Sequence, residues 1–108
     1  VRYIPLEIKL ESNKLPTYGK EIDISNPKNN IELKHKRSYV SMARSKNINS
    51  ASSQFYISLK SLPELDGRFA VFGKVISGMN VVNSIEENDF IVEAKRLWIF
   101  RKILFFGF

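Results

Sequence analysis

Apolar residues alternate with polar ones, or form brief apolar runs, in several short stretches of the chain, a pattern typical of β-strands. These stretches are residues 2–10, 39–43, 54–60, 69–76 and 90–94. Pro5 cannot donate to a strand ladder, so the first strand is predicted to start there or to lie at a sheet edge. The stretch 69–76 is apolar on both of its alternating faces, which predicts a central strand covered on each side.

One stretch has the apolar spacing of a helix instead. Met79, Val82 and Ile85 recur every three residues within 78–88, which predicts a single helix laid over the sheet. Residues 11–38 are rich in Ser, Asn, Pro and Lys, so they are predicted to form a long surface excursion with one short paired segment at 22–24. The pattern therefore favours a mainly β, antiparallel fold with one helix.

Composition narrows the function classes. The chain has 108 residues and a formal net charge of +6, enough for one domain with a modest core. Its lysines are scattered, which favours a solvated basic surface over nucleic-acid binding. There is no cysteine, and His35 is the sole histidine, so a disulfide and a paired-histidine metal site are excluded. We expect no metal and no cofactor, and we interpret His35 as a loop residue.

The C-terminal segment is unusual. Nine of the twelve residues 97–108 are large and apolar, yet a membrane span needs about 20. Residues 97–100 are predicted to complete the last strand. The remainder is either an abnormal terminus from a disrupted reading frame or a weak membrane-surface anchor, with Arg101 and Lys102 at the headgroups. We therefore divide the chain into a domain at 1–96 and a hydrophobic tail at 97–108.

Three motifs follow one another through the middle of the chain. They are S-M-A at 41–43, S-Q-F-Y-I at 53–57, and L-D-G at 65–67 with V-F-G-K-V at 71–75. Their order and spacing resemble the cyclophilin family of peptidyl-prolyl cis-trans isomerases. The opening Y-I-P-L-E-I at 3–8 is similar to the cyanobacterial and chloroplast branch, which would imply a cyanobacterial cell, a plastid or the thylakoid lumen.

The resemblance, which covers about residues 1–95, implies a cyclophilin-like antiparallel β-barrel. Only its C-terminal part is expected here, because the N-terminal strands and the first helix of the family would precede Val1. The fold expected is thus a partial barrel with one capping helix.

The resemblance also implies a substrate site. The matching positions are Ala43, Arg44, Gln54, Tyr56, Leu65 and Phe69. Gln54 matches the glutamine that hydrogen-bonds the substrate, while Tyr56 and Leu65 match residues of the proline pocket. On pattern alone, Tyr56 and Leu65 would be core residues and Arg44 a surface charge. Taken together, the six positions are expected to converge on one shallow groove, with the backbone of Ala43 and Arg44 at its rim.

One part of the family site has no counterpart. Rotation of an X-Pro amide crosses about 18–20 kcal/mol, and the family lowers that barrier with an arginine in an F-H-R-like motif, which the 108 residues lack. Arg44 and Arg68 match other family positions. Two hypotheses stay open. In the first, the chain is a prolyl isomerase, or a truncated form of one, that acts on proline-containing polypeptides. In the second, it is a non-catalytic module that binds proline-containing segments. We expect this chain alone to be inactive or very weak as an isomerase.

Overall fold

The computed structural model describes residues 2–97. Its elements are β1 (Glu7–Ile8), β2 (Thr17–Tyr18), β3 (Tyr39–Met42), β4 (Phe55–Ile57), a 3-10 turn (Pro63–Leu65), β5 (Val71–Lys74) and α1 (Met79–Val82). The strands form two antiparallel sheets, one of β1 and β2 and one in the order β4-β3-β5. The prediction of a mainly β, antiparallel fold with one helix is confirmed for these residues. Within them the two sheets do not close into a barrel.

The prediction that residues 69–76 form a central strand is wrong. Within the described residues β5 lies at an edge of the sheet, and β3 holds the central place. The register explains the misleading pattern: Val40 pairs with Gly73, but Ser41 pairs with Val71, so a bulge sets Phe72 outside the alternation. Apolar residues on both faces of this stretch therefore reflect the bulge, and Phe72 is half exposed.

The buried core lies beside the three-stranded sheet. It consists of Leu6, Ile8, Leu10, Ile22 and Ile31, with Ile48 and Ala70 packed against it. Two of these residues belong to the polar stretch 11–38, so that segment is more than a surface excursion. The predicted pairing at 22–24 is reduced to one bond from the Ile22 N–H to the Gly67 carbonyl at 2.9 Å.

The helix is much shorter than predicted. It covers Met79–Val82, and Ile85, expected to pack on the sheet, is exposed. Beyond Val82, the N–H groups of Ser84 and Ile85 bond three residues back, and the Ser84 hydroxyl bonds the Val81 carbonyl at 2.8 Å. That side-chain bond competes with helix continuation, which explains the early end.

Residues 90–94 do not form the predicted strand. They have no strand assignment, and Phe90, Ile91 and Val92 are exposed, because no described strand lies alongside to pair with them. The predictions for 98–108, including the end of the last strand and the membrane-surface anchor, lie outside the described residues. Between residues 2 and 97, no helix is long and apolar enough to cross a membrane.

Candidate functional site

The pairing of β3 with β4 sets which side chains face the candidate groove. Tyr56 pairs with Ser41, while Phe55 pairs with Met42, so Tyr56 and Phe55 point to opposite faces of the sheet. By the same alternation Gln54 is on the face of Tyr56. The Gln54 carbonyl accepts a hydrogen bond from the Ala43 N–H at 3.0 Å, which places Ala43 beside it at the end of β3.

The turn between β4 and β5 brings Phe69 to this face and holds Leu65 next to it along the backbone. The Leu65 carbonyl accepts the N–H groups of Arg68 at 3.1 Å and Phe69 at 3.3 Å, which folds Phe69 back beside Leu65. The Phe69 ring meets the Tyr56 ring edge-on, with centroids 6.0 Å apart and planes at 85°, an arrangement that aromatic pairs favour. The strand at 53–57 and the segment 65–69 thus supply one aromatic corner.

Arg44 is a fixed part of this corner. Its side chain is only 7% exposed, and its guanidinium lies 4.6 Å from the centre of the Phe69 ring. Nε and Nη2 both donate to the Arg68 carbonyl, at 3.1 and 2.6 Å, and Nη2 also donates to the Glu21 carboxylate at 2.9 Å. The reading of Arg44 as a plain surface charge is therefore wrong, and Arg44 covers one face of Phe69.

A buried histidine lies behind Tyr56. His35 is 2% exposed and Asp66 is 8% exposed. Asp66 Oδ1 accepts a hydrogen bond from the His35 backbone N–H at 2.6 Å, and it lies 2.9 Å from Nδ1 of the His35 ring. The opposite ring nitrogen, Nε2, lies 2.8 Å from the Tyr56 hydroxyl. Sequence reasoning placed His35 in a loop, as found, but missed its contacts with Asp66 and Tyr56.

Burial also changes the electrostatics of Tyr56. Loss of solvent raises the pKa of its hydroxyl above the ordinary value of 10.0, and the Ser41 hydroxyl beside it, followed by the positive charge of Arg44, opposes that rise. The phenol is therefore neutral at physiological pH, and it can act as a hydrogen-bond donor.

A separate cavity of about 500 Å³ lies beside β1 and β5. Ile8, Ile31 and Val71 contribute to its apolar wall, and Phe69 is the one predicted site residue that reaches it. The other predicted site residues, Tyr56 among them, do not line this cavity.

The comparisons with known proteins agree with the motifs. Residues 2–99 match the family model described as "Cyclophilin type peptidyl-prolyl cis-trans isomerase/CLD". A "Probable peptidyl-prolyl cis-trans isomerase" of Brucella abortus is 51% identical over 53 residues, which are 49% of this chain and 27% of that protein. "Peptidyl-prolyl cis-trans isomerase 9" of Caenorhabditis elegans is 43% identical over 56 residues, 52% of this chain and 18% of that protein.

A third relative has a different name. The human "NK-tumor recognition protein" is 42% identical over 57 residues, which are 53% of this chain and 4% of that protein. In each pair the matched segment is a minor part of the relative, whereas the family model spans nearly all of this chain. The chain belongs to the cyclophilin-type peptidyl-prolyl cis-trans isomerase family.

Proposed function

We propose that this chain binds proline-containing segments of polypeptides in the groove on the Tyr56 face. The observation that carries the proposal is the aromatic corner, in which Phe69 meets Tyr56 edge-on at 6.0 Å with Leu65 in the adjoining turn. A proline ring is apolar and rigid, so an apolar corner binds it with little entropic cost. Gln54, on the same face, is expected to hydrogen-bond the flanking peptide.

We also propose that the chain catalyses prolyl isomerisation when residues upstream of it supply a cationic hydrogen-bond donor. In the twisted amide the proline nitrogen becomes a better hydrogen-bond acceptor, so a fixed donor aimed at it stabilises the transition state selectively. Arg44 is unsuited to this role, since its guanidinium is bound to the Arg68 carbonyl and Glu21 and stacked on Phe69.

A protease-coupled assay on a proline-containing peptide tests the isomerase proposal. We expect the 108-residue chain to be slower than a version extended upstream with the family's arginine strand by about a hundredfold to a thousandfold, the effect of removing one transition-state donor. Replacement of that arginine by alanine in the extended version should remove most of the gain. Equal rates for the two versions would show that another group supplies the donor.

Peptide binding is tested separately, by nuclear magnetic resonance titration of the 108-residue chain with the same peptide. Tyr56→Ala is expected to abolish the shifts, while the exposed Tyr18→Ala is the matched control. If the extended version binds the peptide but stays inactive, the chain is a non-catalytic module. The lack of an F-H-R-like motif in the 108 residues favours this second candidate.

The finer relationship of the chain is also a proposal. We assign it to the cyanobacterial and chloroplast branch of the family because of Y-I-P-L-E-I at 3–8, in which Leu6 and Ile8 are core residues. A tagged copy expressed in a cyanobacterium or a plant cell should then fractionate with the cell interior, the plastid or its lumen.

For the tail, co-sedimentation with anionic vesicles should weaken when residues 98–108 are deleted.

A further inference from the structure

Three buried or half-buried polar side chains connect in series behind the groove. Asp66 contacts His35 Nδ1 at 2.9 Å, and His35 Nε2 lies 2.8 Å from the Tyr56 hydroxyl. The rings of His35 and Tyr56 are stacked, with centroids 5.9 Å apart and planes within 8° of parallel. The hydrogen bond between Nε2 and the hydroxyl opposes a swing of the Tyr56 side chain about χ1, because that swing would carry the hydroxyl away from Nε2. A flip of the ring about the Cβ–Cγ axis leaves the hydroxyl oxygen in place.

The direction of each hydrogen bond follows from the donors and acceptors. The Asp66 carboxylate can only accept, and it already takes the His35 backbone N–H at 2.6 Å. The Asp66 contact therefore calls for a proton on Nδ1, and in the singly protonated ring Nε2 is then an acceptor. Tyr56 then donates its hydroxyl proton to Nε2.

On its other side Tyr56 has a looser neighbour. Phe69 meets it edge-on at 6.0 Å, which limits the volume open to the ring but does not fix its direction as a hydrogen bond does. A phenylalanine at position 56 would keep the apolar surface, yet it would leave His35 Nε2 buried without a donor.

We propose that His35, held by Asp66, is a positioning residue that fixes the Tyr56 ring as the platform for the proline. This inference rests on the proposed function, because it assumes that Tyr56 contacts the proline ring. His35 acts through Tyr56 and does not itself touch the substrate, since it is 2% exposed. The charged groups facing the pair are Asp66, against the imidazole, and Arg44, whose positive charge acts on Tyr56.

A double-mutant cycle on peptide binding tests the route of the effect. Tyr56→Phe and His35→Gln are each expected to weaken binding of a proline-containing peptide by about threefold to tenfold, the range for one hydrogen bond. If His35 acts only through the Tyr56 hydroxyl, His35→Gln has no further effect in the Tyr56→Phe background. Losses that multiply, or a Tyr56→Phe variant that binds like the wild type, would overturn the proposal.

A second measurement needs no peptide. Nitrogen-15 spectra of the imidazole should show a proton on Nδ1, and Tyr56→Phe should shift Nε2 more than Nδ1. Carbon-13 relaxation should show more motion of the Tyr56 side chain about χ1 in His35→Gln. Tyr18→Phe, an exposed tyrosine 3.5 Å from Glu7, is the control. A proton on Nε2, or an equally ordered ring in His35→Gln, would refute the positioning role. Absence of peptide binding together with the expected spectra would instead refute the proposed function.

Discussion

Gly67 is the residue at which a one-carbon change should disturb both the fold and the groove. Its φ is +82°, and a Cβ added there would lie 2.3 Å from the Ile22 carbonyl oxygen and 3.1 Å from Ile24 Cγ2. The nearer atom belongs to the backbone, so it cannot move aside as a flexible side chain would. The Gly67 carbonyl also accepts the Ile22 N–H at 2.9 Å. A shift of the backbone at either residue therefore strains that hydrogen bond.

The cost of Gly67→Ala has two parts. Holding an L-residue in the left-handed region costs about 1–2 kcal/mol. Moving the Ile22 carbonyl away weakens the hydrogen bond between these segments, which is worth about 0.5–1.5 kcal/mol, and it adds some backbone strain. We expect Gly67→Ala to lower the free energy of unfolding by about 2–4 kcal/mol, a large share of the roughly 5–15 kcal/mol typical of a domain.

Gly78→Ala is the matched control, because Gly78 has a φ of +93° and no atom within 4 Å of an added Cβ. It shares the conformational cost and the change in the unfolded chain, but it lacks the contact. Urea unfolding of both variants, followed by circular dichroism, should give a difference of about 1–2 kcal/mol. If the two variants lose the same stability within about 0.5 kcal/mol, the close approach of Ile22 to Gly67 is refuted.

Two further predictions concern the aromatic corner. Arg44→Ala should lower the free energy of unfolding by about 1–3 kcal/mol, because it removes several hydrogen bonds and the cation over Phe69. Arg37 is an exposed arginine with one hydrogen bond, so Arg37→Ala should change that free energy by under about 0.5 kcal/mol. Equal losses in the two variants would contradict the role of Arg44. Burial raises the pKa of Tyr56, so its stabilising contribution should be complete below the unfolded pKa of about 10 and lost as pH rises through the higher folded value. Urea unfolding from pH 8 to 11 should show less alkaline loss in Tyr56→Phe than in the wild type, and parallel curves would contradict this.

The strands could be predicted from alternation, but their order could not. Residues 39–43 and 54–60 show the period of two that β3 and β4 have in the structure. For 69–76, apolar residues on both faces have two physical causes, coverage on each side or a bulge that shifts the alternation, and the sequence does not separate them. The helix prediction failed beyond Val82 because periodicity counts apolar residues, and it ignores the Ser84 hydroxyl that competes for a backbone carbonyl.

The same limit applies to the groove. Motif spacing predicted that Tyr56 and Leu65 belong to one site. In the structure Phe69 contacts the Tyr56 ring, and its N–H bonds the Leu65 carbonyl. The histidine was missed because its partners are 21 and 31 residues away along the chain. No local pattern reports a contact over that separation, and a lone histidine before a strand is typical of many loops.

The polar stretch 11–38 explains how such a shallow groove is held in place. Glu21 accepts a hydrogen bond from Arg44 at 2.9 Å, and its neighbour Ile22 bonds the Gly67 carbonyl at 2.9 Å while its side chain lies in the core. Two consecutive residues therefore join the end of β3 and the turn after β4 to the buried cluster. Tyr56 lies within β4, whereas Arg44 and Phe69 lie outside the strands, so this brace supports the part of the site that the sheet does not hold. A segment that composition assigns to the surface thus bonds both Arg44 and the turn at Gly67.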